Sequence, residues 1–143
     1  MNNAITINDL VGIKYGHAQR SLESCDCFGL VSMYYQYILK DNSFPCNDGK
    51  KINKLRYRKN DLERIIQGLA SINFIEIDTG KYIRGDVIIL ATEVREGVFT
   101  AGLVVAVNRH DILITFGDSK SQIRPIATIK HMIHKAYRKK ASE

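Results

Sequence analysis

Three cysteines and four histidines are the side chains of this 143-residue sequence best suited to nucleophilic or metal chemistry. Cys25 and Cys27 flank Asp26, Cys46 stands apart, and His17, His110, His131 and His134 are scattered along the chain. Cys27 heads a run of helical apolar spacing, which places its thiol in a first helical turn. Unpaired amides and the positive end of the helix dipole favour thiolate over thiol there, making the sulfur a nucleophile. Those are the demands of a cysteine peptidase or acyltransferase. A cysteine at a helix start is also commonly just a small packed side chain, and position alone does not choose between the two. Cys25, Cys27 and Cys46 with one histidine would make four zinc ligands. Structural zinc sites, however, usually separate paired cysteines by about two to four residues, and Cys25-Asp26-Cys27 leaves only one. No metal or cofactor is expected. The N-terminal residues Met1 to Ile5 show neither a basic head nor an apolar signal core, so reduced thiols are expected. A disulfide from Cys46 to Cys25 or Cys27 stays open on sequence alone.

The elements that must position these thiols follow from the apolar spacing. Leu30, Val31, Tyr34, Tyr35 and Ile38 recur at three- and four-residue steps and predict a helix over 27–39, with Asp26 as its cap. Gly29, lacking a side chain, lets another segment approach the first turn. Residues 41–45 end this helix. Asn60 with Glu63 resembles a capping box for a second helix, whose buried stripe would be Leu62, Ile65, Ile66, Leu69 and Ala70. Ile5, Leu10, Val11 and Ile13 suit a short helix before the thiols. Short β-branched or aromatic runs then predict strands at 74–77, 87–91, 102–107, 112–116 and 123–126, with 108–111 as a hairpin loop. Ile129, Met132, Ile133 and Ala136 predict a final helix over 128–138. Helices first and an antiparallel sheet later make an α+β fold, with 1–143 as a single domain.

The charge is the unusual part of the composition. An excess of 21 Lys+Arg over 15 Asp+Glu gives +6, which favours anionic partners without saying which. It concentrates in Lys50, Lys51, Lys54, Arg56, Arg58 and Lys59, within an insertion-like basic segment at about 47–60. A second group, Lys135, Arg138, Lys139 and Lys140, reads as a basic tail over 135–143. Nucleic-acid binding through 50–59 is disfavoured, because Tyr57 is its only aromatic and no base-reading motif is present. No apolar stretch approaches the ~20 residues of a bilayer span.

Asp26-Cys27-Phe28-Gly29-Leu30-Val31 followed by Tyr34-Tyr35 resembles the nucleophile motif of the NlpC family of cell-wall cysteine peptidases. The likeness is to the subgroup encoded in bacteriophage tail modules, where a large aromatic residue follows the cysteine. Further landmarks resemble the family in order: Gly12-Ile13-Lys14-Tyr15-Gly16, Phe44-Pro45, Gly85-Asp86-Val87-Ile88, Ala101-Gly102-Leu103-Val104-Val105 and Ala136-Tyr137-Arg138. The resemblance covers most of 11–138 and is weakest over 47–73. It implies a compact papain-like, NlpC-like domain with Cys27 as nucleophile. Asp26 and Tyr15 would border the substrate's amine end and the oxyanion region.

The same resemblance places a base histidine directly before the alanine-glycine pair, where this sequence has Thr100. A threonine does not accept a proton near neutral pH. Ile114 or Thr115 stands where the family places the polar group that orients the imidazole. Among possible substitute bases, His110 falls in the hairpin loop at the far end of the strand. His17 lies on the other side of the sequence, and His131 and His134 on the expected last helix. Two functions are therefore expected. One is a phage tail-associated protein, in the virion or the infected cell's cytoplasm, whose inactive peptidase-like domain serves structure or assembly. It would dock other tail proteins through the 50–59 cluster. The other is an active peptidoglycan-cleaving endopeptidase with Cys27 as nucleophile and an unrecognised base.

Overall fold

The apolar run after Cys27 forms a helix, but one buried nearly all round rather than on one stripe. The computed structural model describes residues 5–16, 21–25, 27–41, 69, 73–78, 80–95, 98–115 and 120–140. Helix α1 spans Cys27–Met33 and continues as a π-helical turn, Tyr34–Ile38, closed by the Leu39 N–H donating to the Tyr34 carbonyl at 3.1 Å. Leu30, Val31, Ser32, Met33, Tyr34 and Tyr35 are all buried. Such a helix is packed on several sides by the rest of the chain. Before it come a 3-10 turn, Ile7–Leu10, and two short strands, β1 (Lys14–Tyr15) and β2 (Ser24–Cys25), paired in parallel.

After it comes an antiparallel sheet of six strands. These are β3 (Phe74–Ile77), β4 (Val87–Arg95), β5 (Val98–Ala106), β6 (Asp111–Ile114), β7 (Gln122–Pro125) and β8 (Ile133–Lys139). Their order across the sheet is β3-β8-β4-β5-β6-β7. Helix and strand are thus mixed, as an α+β class requires. Alternation along the strands splits the interior in two. Val87, Ile89, Leu103, Val105, Leu113 and Tyr137 join Leu30, Val31 and Tyr34 in one cluster. Ile88, Leu90, Val104, Ile112, Ile114 and Ala136 join Ile129, from the 3-10 helix Ile126–Met132, in the other. The sheet therefore has both faces covered.

The expected strands appear, with β4 and β5 longer than their apolar cores, and 107–110 forms the hairpin connection. Asn108 explains the turn: its side-chain oxygen accepts from the N–H groups of His110 and Asp111 at 2.7 and 2.8 Å. The final helix over 128–138 is a correction. Residues Ile126–Met132 are a 3-10 helix and Ile133–Lys139 a strand between β3 and β4. A strand covered on both faces buries neighbouring residues alike, here Ala136 and Tyr137, and so loses the alternation that marks half-buried strands. Its apolar residues then mimic helical spacing. The basic tail is corrected with it. Lys135 pairs with Glu76 at 3.3 Å, Arg138 with Asp86 at 2.8 Å and Lys139 with Asp41 at 2.5 Å. The 47–60 segment, Phe44-Pro45 and most of the expected second helix lie outside the described residues; Leu69, from that helix, is helical and buried. No helix among the described residues is long and apolar enough to cross a membrane.

One turn ties helix to sheet. Asp86, only 1% exposed, accepts from Arg138 Nε and Nη2 at 2.8 Å each and from the Ile83 N–H at 2.9 Å. Next to it, the Tyr35 hydroxyl donates to the Gly85 carbonyl. Gly85 has φ +96°, and a Cβ there would come within 3.3 Å of Leu39 Cδ1, so no other residue fits without strain.

Removing one partner leaves the Asp86 charge buried and unpaired. Arg138→Ala is expected to lower stability in urea denaturation by about 3 kcal/mol, the low end for a buried pair because Arg138 reaches solvent. Arg138→Lys is expected to recover only part of that, since an ammonium cannot form the two-pronged contact. Burial, with Asp41 and Asp86 adding, holds the Tyr35 phenol well above its ordinary range. The unfolded chain ionises this group first, so the stability it contributes is full below about pH 10 and declines as pH rises further. The stability–pH curve of Tyr35→Phe is expected to start lower at neutral pH and to fall less steeply above pH ~10. Part of the slope remains with Tyr34, which burial shifts in the same direction.

Candidate active site

Two short strands and a helix start bring the candidate nucleophile to the sheet. Lys14 pairs with Ser24 and Tyr15 with Cys25, and the Gly16 N–H donates to the Cys25 carbonyl at 3.0 Å. The glycine–tyrosine segment thus lies alongside the residues just before Cys27. Cys27 then opens α1 with its side chain half-buried, whereas Cys25 is fully buried. Both are thiols.

The Cys27 sulfur faces the sheet at Gly102. It lies 4.0 Å from where a Cβ on Gly102 would sit, ordinary contact distance for a methyl group. Two of the sequence landmarks, the cysteine motif and Ala101-Gly102-Leu103, therefore meet in space. Thr100 stands two positions from Gly102 along β5, where its backbone pairs with Thr92. Thr115 lies just past the end of β6, 6% exposed, and its hydroxyl has no hydrogen-bond partner among the described residues. Continuing the β5–β6 register, in which Val105 pairs with Leu113, sets Thr115 opposite Leu103 and so beside Gly102.

The described histidines sit elsewhere. His110 is exposed in the β5–β6 turn, past the end of β5 remote from Thr100. His131 is exposed on the 3-10 helix before β8. His134 is exposed on β8, which β4 separates from β5. His131 and His134 thus do not share a helix, which corrects their expected setting. His17, Asp26 and Cys46 lie outside the described residues, and the zinc and disulfide alternatives that depend on Cys46 lie there too.

Sequence patterning missed Ser121. It is 2% exposed, donates from Oγ to the Leu10 carbonyl at 2.6 Å and accepts from the Ile13 N–H at 2.8 Å. A serine between Lys120 and Gln122 carries no local mark of contacts more than a hundred residues away. Tyr35, Asp86 and Arg138 did belong to motifs, but nothing in their separate positions foretold that they share one turn.

The space between Gly102 and the sulfur admits a methyl but nothing much larger on that side. Gly102→Ala is expected to leave the fold intact, since its methyl would meet the sulfur at ordinary contact distance. Gly102→Val is expected to cost about 1–3 kcal/mol by overpacking and to displace the sulfur. Thermal denaturation together with the Cys27 alkylation rate of the two variants checks this. The sequence matches no protein-family model and has no significant match among curated proteins.

Proposed function

We propose that this chain is a bacteriophage tail-associated protein built on a degenerate NlpC-like, papain-like cysteine peptidase domain that serves structure or assembly rather than hydrolysis. The observation that carries the proposal is the approach of Cys27 at the head of α1 to Gly102, with threonine at position 100. On the family resemblance this helix start and strand would carry nucleophile and base; Cys27 does face β5 at Gly102, and the expected base position holds a residue that takes up no proton near neutral pH. The exposed positions of His110, His131 and His134 add support, because each belongs to an element other than the one facing the thiol. A fold outlasts its chemistry because packing and reacting residues are different sets. The parts that resemble the family here are chiefly packing parts: Tyr35 on Gly85, Asp86 on Arg138, and Cys27 on Gly102. Other tail proteins are the proposed partners, through the basic segment Lys50, Lys51, Lys54, Arg56, Arg58 and Lys59.

The half-buried Cys27 thiol makes the active endopeptidase the competing outcome, and one comparison separates the two. Purified wild type and Cys27→Ala are incubated with peptidoglycan fragments, and released amines are counted. No release from either is expected, together with alkylation of Cys27 no faster than free cysteine near pH 7. Release by wild type that Cys27→Ala abolishes would establish the peptidase and overturn the structural role. Mass spectrometry of purified virions is expected to find the chain as a tail component; its absence would point instead to an assembly factor or a lytic helper.

A further inference from the structure

We infer that Ser121 is a positioning residue for the cysteine segment, acting through residues 10–16. Four hydrogen bonds join this one serine to a run of four residues. Besides the two made by its hydroxyl, its carbonyl accepts from the Gly12 N–H and its N–H donates to the Ile13 carbonyl, both at 2.8 Å. Gly12, at φ +91°, supplies the turn in this run. Ile13 leads directly into β1, β1 pairs with β2, and Cys27 begins α1 two residues after Cys25. The Gly16 N–H bonded to the Cys25 carbonyl extends that pairing by one contact. An unbroken series of covalent and hydrogen bonds thus runs from the β6–β7 connection to the thiols. On the other side the Cys27 sulfur faces β5 at Gly102, so the segment lies between the start of β7 and β5.

The chemistry of the contact makes the hydroxyl the weak point of this series. It satisfies a carbonyl and an amide at once in a buried setting, and alanine would leave both without a partner. Leu10 and Ile13 keep their places in the helix-side core, so losing the hydroxyl loosens 10–16 locally rather than unfolding the domain. Cys25, fully buried and paired with Tyr15, is the group such loosening would uncover. The inference concerns thiol placement alone and stands whether or not Cys27 has any peptidase chemistry.

Site-resolved alkylation of the full chain with iodoacetamide, read by mass spectrometry under native conditions, tests it. In the wild type Cys25 is expected to react far more slowly than Cys27. Ser121→Ala is expected to raise the Cys25 rate roughly tenfold, the scale of a lost buried hydrogen bond, whereas Ser121→Thr, which keeps the hydroxyl, stays close to wild type. Ile112→Val, in the core cluster on the other face, serves as a control for general destabilisation. An unchanged Cys25 rate in Ser121→Ala, or an equal rise in Ile112→Val, would overturn the inference. Should Ser121→Ala fail to fold, hydrogen exchange of the wild type decides: the amides of Gly12, Gly16 and Ser121 are expected to exchange together, separately from those of β4 and β5. Unrelated rates for the three would overturn it.

Discussion

The ion pair between Asp86 and Arg138 is the constraint on which the remaining arrangement depends. A carboxylate this deeply buried is tolerated only when its oxygens are answered, and here two guanidinium nitrogens and one backbone amide answer them. The pair fixes β8 against the turn that precedes β4. The same turn holds β5, because the Ala106 N–H donates to the Asp86 carbonyl and the Gly85 N–H to the Ala106 carbonyl, each at 2.8 Å. It holds the helix as well, through the Tyr35 hydroxyl on Gly85, while the Phe74 ring of β3 lies 5.7 Å from that of Tyr35. Helix, first long strand and last strand are thus referred to a single point. The distance from the Cys27 end of the helix to Gly102 on β5 follows from it.

Cys27 lies where separately anchored parts converge. The helix is held at its far end by Tyr35, the preceding strand pair by Ser121, and β5 by the 85–86 turn. None of these anchors has to be reactive, and none is altered by what occupies position 100. That separation is the physical basis for proposing that the domain retains its shape without its hydrolytic chemistry.

How much of this was legible in the sequence depended on whether an element's partners were local. The helix at 27–39 was readable because Leu30, Val31, Tyr34, Tyr35 and Ile38 recur at helical spacing. The hairpin at 108–111 was readable because Asn108 bonds its own turn. Cys27 was readable as the chemical candidate, from its place in the first turn of that helix. β8 was not, since side chains of the helix-side cluster and of the Ile129 cluster cover its two faces at Tyr137 and Ala136 and erase the alternation. Its lysines and arginine looked like a solvated tail because their acidic partners lie 52 to 98 residues away. Ser121 was silent for the same reason: its partners are more than a hundred positions distant.

The placement of β8 also bears on how the chain reaches this structure. β3 and β4 emerge from the ribosome well before the strand that must lie between them, and the Glu76–Lys135 contact alone closes a 59-residue separation. Pairing over such distances incurs loop-closure entropy before any contact offsets it, which places this topology among slower folders. Until β8 inserts, β3 and β4 both present unpaired edges, the condition under which strands of different chains join. The charged residues of β8, each matched to an acid already waiting in the earlier part of the chain, favour the correct strand over a foreign one.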